Sequence, residues 1–275
     1  MISIVSKSFN SGRVKRWSST SEVFSYPTGG SAVEDVVVGG LRYRVHTFLV
    51  SGDIIVPDAI SVDALIVAGG GGAGGSVGSH GGAGGGGAGG LLYQTDITLA
   101  AGTYPLVIGG GGTGYQNSSS RGENGANSTF AGYTAIGGGG GGTGNSGGNT
   151  TGRDGGSGGG AGYKSYALST PGNGTSGQGY VGGQNGAPGS AEGGGGGGAT
   201  GAGQTPPSRA GGTGRTTVEF GGSVVYATGG TGGGGGGADN GSNGAANTGN
   251  GGNAPYAAGT KGDGGSGIII VRYRI

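Results

Sequence analysis

The arrangement with the most chemical content is a strand-like run followed directly by glycines, over residues 65–75 (Leu-Ile-Val-Ala-Gly-Gly-Gly-Gly-Ala-Gly-Gly). A buried strand with a G-x-G-x-x-G loop is typical of dinucleotide-binding sites, where the loop opens a helix whose N-terminus meets the pyrophosphate. Residues 76–82 (Ser-Val-Gly-Ser-His-Gly-Gly) cannot form that helix, and no second strand ending in an acid follows about 20 residues later. The match therefore reflects abundant glycine. The Gly-Thr-Lys at 259–261 likewise lacks the P-loop spacing.

Groups that could carry catalysis are sparse. Asp53, Asp58 and Asp63 lie beside predicted strands, where we interpret them as solvated turn residues. Ser79 and His80 are adjacent but have no recognisable third partner of a catalytic triad. The chain has no cysteine and only 2 histidines, which are far apart. We therefore predict that the protein is not an enzyme, and we expect no catalytic site, no metal site and no cofactor.

Binding is the chemistry that the remaining side chains favour. Aromatic and charged residues interrupt the glycine at a few points, and tyrosine supplies a large contact area and a hydroxyl at low entropic cost. The binding candidates are Tyr115, Tyr163, Lys164, Tyr166, Tyr180, Arg209 and Tyr256. Because these segments should fall where glycine-rich rods turn, we expect them to group at the rod ends. The alternative for each tyrosine is a capping role that covers exposed backbone, and for residues 163–168 both interpretations stay open.

Residues 1–40 are predicted to form a separate N-terminal arm. It carries a basic cluster beside the only tryptophan, which is either a segment that docks onto a larger assembly or a partly ordered terminus. The docking candidates are Arg13, Lys15, Arg16 and Trp17. The N-terminus has no apolar run typical of a signal peptide, and no stretch approaches the roughly 20 apolar residues of a membrane span. Because no such span is present, we expect no membrane insertion. The net charge of +1 gives no particular attraction to nucleic acid, so we expect no nucleic-acid binding.

These side chains must be positioned by β-strands, because apolar runs with strand periodicity recur and no helical periodicity does. Strand-like blocks occupy residues 41–50, 53–57, 62–67, 91–99, 103–108, 128–136, 217–228 and 267–275. The continuous apolar run at 62–67 indicates a strand buried on both faces. The predicted fold is all-β: a small antiparallel β-sandwich over residues 41–275 with glycine-rich insertions, mainly at 69–90, 109–127, 137–215 and 229–265.

Glycine makes up 85 of the 275 residues and comes in uninterrupted runs, such as Gly137–Gly142 and Gly193–Gly198. A disordered polymer is one alternative, but charge is sparse and 31% of residues are apolar or aromatic, unlike typical disordered chains. Ordered glycine forms polyproline-II-like helices with three residues per turn, whose backbone groups bond to neighbouring helices. We therefore predict a bundle of polyglycine II helices. Pure glycine runs should lie inside it, where every position must be glycine, and decorated stretches such as 143–160 and 239–253 should lie outside.

Three blocks together resemble a known family: residues 62–68 before the first glycine run, residues 100–109, and residues 264–273. They resemble the glycine-rich domain of tail-fibre and other virion proteins of tailed bacteriophages. The same pattern resembles the tumour-necrosis-factor-like and glycine-rich domain of the anaplastic lymphoma kinase receptor family. The resemblance implies a virion structural protein, and in particular a tail-fibre or tail-tip adhesin that presents receptor-binding loops to the host surface.

The resemblance also implies partners and a location. Expected partners are other tail proteins, further copies of the chain, and a host surface glycan or outer-membrane protein. The expected location is the virion tail, after synthesis in the host cytoplasm. A capsid or head-decoration protein, or another non-adhesive virion protein, would share the fold and is the alternative. An ice-binding polyglycine II protein is less favoured, because the decorations are irregular rather than a flat, repetitive face of threonine and alanine.

Overall fold

A computed structural model describes residues 25–77, 81–116, 119–145, 147–234, 240–255 and 260–275. Within these ranges the regular elements are β-strands, and no helix occurs. The strands are β1 (Ala32–Val38), β2 (Leu41–Phe48), β3 (Gly52–Val56), β4 (Ile60–Val67), β5 (Leu91–Leu99), β6 (Gly102–Val107), β7 (Ser128–Phe130), β8 (Tyr133–Ala135), β9 (Arg215–Thr217), β10 (Val224–Tyr226) and β11 (Ile268–Arg274).

The strands form two main sheets and a hairpin, all with antiparallel pairing. The larger sheet has the order β1-β2-β11-β4-β5, and the smaller sheet has the order β3-β6-β7-β8. The pair β9 and β10 forms a separate hairpin. The prediction of an all-β fold built from antiparallel sheets is therefore confirmed.

A hydrophobic core fills the space between the two sheets. The larger sheet contributes Phe48, Ile66 and Ile269, and the smaller sheet contributes Ile54, Leu106 and Phe130. A second cluster covers the other face of the larger sheet, where Leu65 and Val67 pack with Tyr226 of the hairpin. Residues 64–67 of β4 are fully buried as a result, which confirms the prediction of a strand covered on both faces.

The larger sheet begins earlier in the chain than predicted. β1 lies within residues 1–40, yet it pairs with β2 along its whole length, from Ala32 opposite Thr47 to Val38 opposite Leu41. The prediction of a separate N-terminal arm is therefore wrong for residues 32–38. The signal was weak because an edge strand with exposed acidic residues, Glu34 and Asp35, lacks a regular apolar alternation. The docking candidates Arg13, Lys15, Arg16 and Trp17 lie outside the described residues.

Two of the predicted strands are hairpins. Residues 128–136 fold back at Ala131 and Gly132, whose positive φ values of 49° and 83° make a tight turn. Residues 217–228 contain the end of β9, a turn and the whole of β10. In both cases a glycine within the apolar block reverses the chain, so that one predicted strand is two strands joined by a turn.

The glycine-rich segments form an ordered bundle with a repeat of three residues. Successive N–H groups of residues 68–75 donate to three neighbouring segments in rotation, with N···O distances of 2.8–3.1 Å. The acceptors are the carbonyls of residues 90, 87 and 84 in one segment, 126, 123 and 120 in the second, and 265 and 262 in the third. Three residues per turn with all hydrogen bonds between segments is the geometry of polyglycine II, so the bundle is ordered by its backbone.

The segment of residues 81–90 lies at the centre of this bundle. Its N–H groups donate to residues 136–142, 191–197 and 249–252, and its carbonyls accept from residues 68–74, 157–163 and 230–233. Six segments therefore surround it, and little space is left for side chains. A Cβ built on Gly86 would lie 2.0 Å from the carbonyl oxygen of Gly71. Glycine at this position is required by packing against backbone, which cannot move aside.

The long glycine runs are buried, as predicted, in the part of the chain that the structure describes. All residues of Gly137–Gly142 and Gly193–Gly198 are buried. The shorter run Gly109–Gly112 is an exception, because Gly110 and Gly111 are exposed on the flank of the bundle. An unbroken glycine run therefore does not by itself indicate an interior position.

The expectation that every interior position must be glycine is also wrong. Ala73, Ala83 and Ala254 are buried against one another and form a small apolar cluster within the bundle. Ala88 and Ala161 are likewise fully buried. A methyl group fits where facing segments leave a matched gap, so alanine occurs inside the bundle where such gaps coincide.

Candidate functional site

The bundle has two ends, which the hydrogen bonds distinguish. At the sandwich end, the turn at residues 175–178 meets the strands: the Gln178 side chain donates to the Thr134 carbonyl (3.1 Å) and accepts from the Ile136 N–H (2.8 Å). The opposite end consists of turns between segments. We call these turn residues the distal face, and within the described chain they are residues 115–116, 119–120, 145, 147–148, 163–168, 186–190, 205–209, 240 and 260–261.

Backbone hydrogen bonds hold the distal turns at one level. They run from one segment to the next near the turns, with N···O distances of 2.8–3.0 Å: Gly75 to Ser120, Gly144 to Gly75, Tyr163 to Gly82, Gly82 to Ala191 and Gly232 to Arg209. The distal face is therefore a continuous surface on a rigid support. Turns that are distant in sequence become neighbours there.

The loop of residues 163–168 presents exposed side chains on this face. Tyr166 is 87% exposed and has a φ of 59°, and Leu168 beside it is 54% exposed. The left-handed conformation costs a non-glycine residue roughly 1–2 kcal/mol, and such strain clusters at functional sites. Lys164 is exposed on the same loop. The loop thus presents an aromatic ring, an ammonium group and an aliphatic side chain together.

Both ends of this loop are anchored. Tyr163 is half-buried, and its ring packs on Gly81, where a Cβ would lie 2.2 Å from the ring carbon Cδ1. At the other end, the Ser169 N–H donates to the Asn185 side chain (2.6 Å) and its hydroxyl donates to Thr150 (2.9 Å). Tyr163 therefore covers the end of the central segment, which is the capping role considered for each tyrosine. Tyr166 is exposed and does not cover the backbone in this way.

Arg209 holds two distal turns together. Its Nε lies 3.6 Å from the Glu192 carboxylate, whose other oxygen accepts a hydrogen bond from the Ser190 hydroxyl at 2.6 Å. Arg209 has a φ of 55°, so its turn, like that of Tyr166, contains a left-handed residue. The side chain is half-buried in this arrangement. Its contacts indicate a positioning role.

Tyr115 lies at the rim of the distal face and is bound to its own support. Its hydroxyl donates to the Glu123 carboxylate at 3.0 Å, and this hydrogen bond raises the pKa of the tyrosine. Hydrogen bonds from Thr113 and then Tyr115 lower the pKa of Glu123 in turn. Tyr115 therefore has its hydroxyl engaged within the bundle.

Tyr180 does not join the distal face. Its N–H donates to the Gly198 carbonyl, and its residue follows the turn at 175–178 that contacts the strands. Tyr180 is 50% exposed at the sandwich end. Tyr180 therefore lies at a rod end, as expected, but the chain turns at both ends of the bundle, so the candidates are divided between the two ends. Tyr256 lies outside the described residues.

Asparagine side chains complete the outer hydrogen bonds, a role that the sequence reasoning missed. Asn124 and Asn127 accept from the N–H groups of Gly140 and Gly137, at 3.0 and 2.8 Å. Asn250 and Asn253 accept in the same way from Thr228 and Thr231, at 2.9 and 2.8 Å. The signal was present as pairs of asparagines three residues apart, which is one turn of the glycine helix.

The described residues contain no group of three or more His, Cys, Asp or Glu side chains placed to hold a metal ion. The same residues include no helix of the length and apolar character needed to cross a membrane. Residues 68–77, where the dinucleotide fingerprint would need a helix, are extended. The distal face presents aromatic rings, hydroxyls and the ammonium groups of Lys164 and Lys261.

Comparison with protein families gives a match for most of this chain. Among curated proteins, no sequence matches this chain. The family model described as a glycine-rich domain matches residues 50–274. That range begins at the turn before β3 and ends with the last residue of β11, so it spans most of the sandwich and the whole bundle. The chain therefore belongs to the glycine-rich domain family.

Proposed function

We propose that this protein is a bacteriophage virion structural protein, a tail-fibre or tail-tip adhesin whose distal face binds the host cell surface. The observation that carries the proposal is the loop of residues 163–168, which exposes Tyr166 and Lys164 at the end of the bundle opposite the sandwich. Membership of the glycine-rich domain family supports the role of the bundle as a rigid scaffold. The resemblance of the three sequence blocks to phage tail-fibre domains supports a location in the virion tail.

The scaffold suits recognition because little of it needs to be ordered on binding. Backbone hydrogen bonds fix the distal turns, and tyrosine loses few rotamers, so the entropic cost of binding is low. The ring of Tyr166 can stack on the apolar face of a sugar, and the Lys164 ammonium can bind an acidic or hydroxyl group beside it. A host surface glycan or an outer-membrane protein is the proposed ligand.

The sandwich end is the proposed point of assembly with other tail proteins or further copies of the chain. Several of its apolar side chains are exposed, among them Val37 (66%), Val50 (68%) and Ile55 (52%). Exposed apolar side chains at one end are consistent with an interface there. On this proposal the sandwich end serves assembly and the distal face serves attachment to the host.

The proposal is tested by binding of the labelled protein to a panel of bacterial strains, with two tyrosine variants as a matched pair. Tyr166→Ala should weaken binding by about tenfold or more, because exposed aromatic anchors dominate such interfaces. Tyr180→Ala removes an exposed tyrosine at the opposite end and should leave binding unchanged. Failure of the unsubstituted protein to bind any strain, or equal loss in both variants, would contradict the proposal.

A further inference from the structure

Two arginines on the flank of the bundle lack the acidic partners that most other arginines have. Five arginines have a carboxylate within 3.7 Å: Arg42, Arg44, Arg209, Arg215 and Arg272. Arg121 and Arg153 form no ion pair with any residue that the structure describes. Arg274, which also has none, is exposed to solvent, whereas Arg121 and Arg153 are half-buried.

The backbone places these two arginines side by side. Both flank the segment of residues 136–145: Gly122 donates to the Gly141 carbonyl, and Arg153 donates to the Gly140 carbonyl, at 2.9 and 2.8 Å. The two flanking segments also contact each other directly. The Arg121 guanidinium donates through Nη1 to the Thr151 hydroxyl at 3.3 Å, and the Asn124 side chain donates to the Asp154 carbonyl at 2.9 Å.

Two positive charges lie close together at this position, with no ion-paired carboxylate among the described residues. Partial burial lowers the pKa of Arg121, and the positive charge of Arg153 lowers it further. The Arg153 Nε is buried and has no hydrogen-bond partner among the described residues. The nearby Glu123 carboxylate accepts hydrogen bonds from Thr113 and Tyr115, and the charge of Arg153 also lowers its pKa, but it forms no ion pair with either arginine in the described chain. Adjacent like charges that are partly removed from water are costly unless a counter-charge joins them.

We propose that Arg121 and Arg153 bind an oxyanion: a phosphate, a sulfate or a sugar carboxylate. A guanidinium presents parallel N–H donors that match two oxygens of such a group. The anion would bridge the terminal nitrogens of the two guanidinium groups. This site lies on the flank of the bundle beside the rim of the distal face, and the proposal does not depend on the proposed function.

The experiment is calorimetric titration of the full chain with inorganic phosphate at constant ionic strength. A saturable site is expected, and Arg121→Gln and Arg153→Gln should each weaken it about tenfold, since each removes a charge-assisted hydrogen bond. Arg274→Gln removes an unpaired but exposed cation and should change nothing. Glu123→Gln removes the nearby negative charge and should strengthen binding several-fold. Thermal unfolding of each variant verifies that the fold is retained.

Two results would overturn the site. One is the absence of saturable binding of phosphate and sulfate by the unsubstituted chain, a measurement that needs no variant. The other is an equal loss of affinity in Arg274→Gln, which would indicate general charge attraction. Titration with glucuronate and glycerol 3-phosphate then distinguishes the source. Binding of these organic anions at the same residues assigns the site to an acidic glycan, and binding of inorganic phosphate alone assigns it to the free ion.

Discussion

The sandwich and the bundle are ordered by different parts of the chain. In the sandwich, side chains such as Phe130 and Ile269 fill a core between two sheets, and each is essentially removed from solvent. In the bundle, the interior of residues 81–90 is backbone, with N–H and C=O groups bonded to six neighbouring segments. One region thus depends on the burial of large side chains, and the other depends on their absence.

The two regions should therefore respond in opposite ways to a change in side-chain size. Removing atoms damages the sandwich because it leaves a cavity. Adding atoms damages the bundle because backbone carbonyls lie where a Cβ would be. Substitutions in each direction test whether this distinction holds.

The largest effect is expected from Gly86→Val in the central segment. Its Cβ would lie 2.0 Å from the Gly71 carbonyl oxygen, and neither segment can shift without breaking bonds to others. The free energy of unfolding in urea should fall by more than about 4 kcal/mol, or the chain should fail to fold. Gly110→Ala is the control, because nothing lies within 4 Å of the added methyl group. A similar loss in the control would mean that clash with backbone is not the cause.

The next effect is expected from Phe130→Ala in the sandwich core. Phe130 is 1% exposed and lies between the sheets, so its removal should lower the free energy of unfolding by about 3–5 kcal/mol. Val107→Ala on the neighbouring strand truncates a side chain that is 48% exposed. It should cost less than about 1 kcal/mol. Equal costs for the two variants would show that the core between the sheets does not stabilise the fold.

A smaller effect is expected from Asn127→Ala at the edge of the bundle. The variant leaves the Gly137 N–H without the acceptor that now lies 2.8 Å away. An unsatisfied, partly buried donor costs about 1–3 kcal/mol. Asn240→Ala removes an exposed asparagine and should be close to neutral. Urea denaturation of the two variants compares them, and no difference would argue against asparagine as the outer acceptor.

The smallest expected effect is a pH dependence of the free energy of unfolding that arises from His46 in the sandwich. His46 is fully buried; one ring nitrogen bonds to the Gly29 carbonyl at 2.7 Å and the other to the Tyr273 hydroxyl at 3.3 Å. Burial lowers the pKa of His46 below its ordinary value of 6.5, with the nearby charge of Arg44 acting in the same direction. The unfolded chain therefore binds this proton at a higher pH than the folded chain does.

The stabilising contribution of neutral His46 is thus complete above pH 6.5 and is lost as the pH falls through the folded pKa. The free energy of unfolding should decrease between pH 7.5 and pH 5, and His46→Gln should remove this part of the decrease. Carboxylates such as Asp35, whose pKa is lowered by Arg44, act at lower pH. A His46→Gln variant with an unchanged pH profile would exclude the histidine.

Local patterns predicted much of the sandwich. β2, β4, β5 and β11 lie close to the predicted strands, because their apolar residues recur with strand periodicity. The position of β11 between β2 and β4 could not be predicted, since pairing across the whole chain leaves no local mark. β1 was missed because an exposed edge strand needs few apolar residues.

For the bundle and the candidate site, composition predicted the kind of structure but not which segments and side chains become neighbours. Glycine runs indicate that backbone must pack on backbone, but a run does not specify which segments are neighbours. The buried alanines Ala73, Ala83 and Ala254 depend on matched gaps that only the assembled bundle defines. Tyr166 and Tyr180 look alike in sequence, and only the direction of their segments places them at opposite ends.

The most direct test of the account is amide hydrogen exchange of residues 84–90 compared with β11. These glycine-rich residues have no large side chains to shield them, so any protection must come from hydrogen bonds between segments. The account predicts protection comparable to that of β11 in the sandwich core. Exchange of residues 84–90 at the rate of an unstructured chain, with β11 still protected, would contradict an ordered polyglycine II bundle.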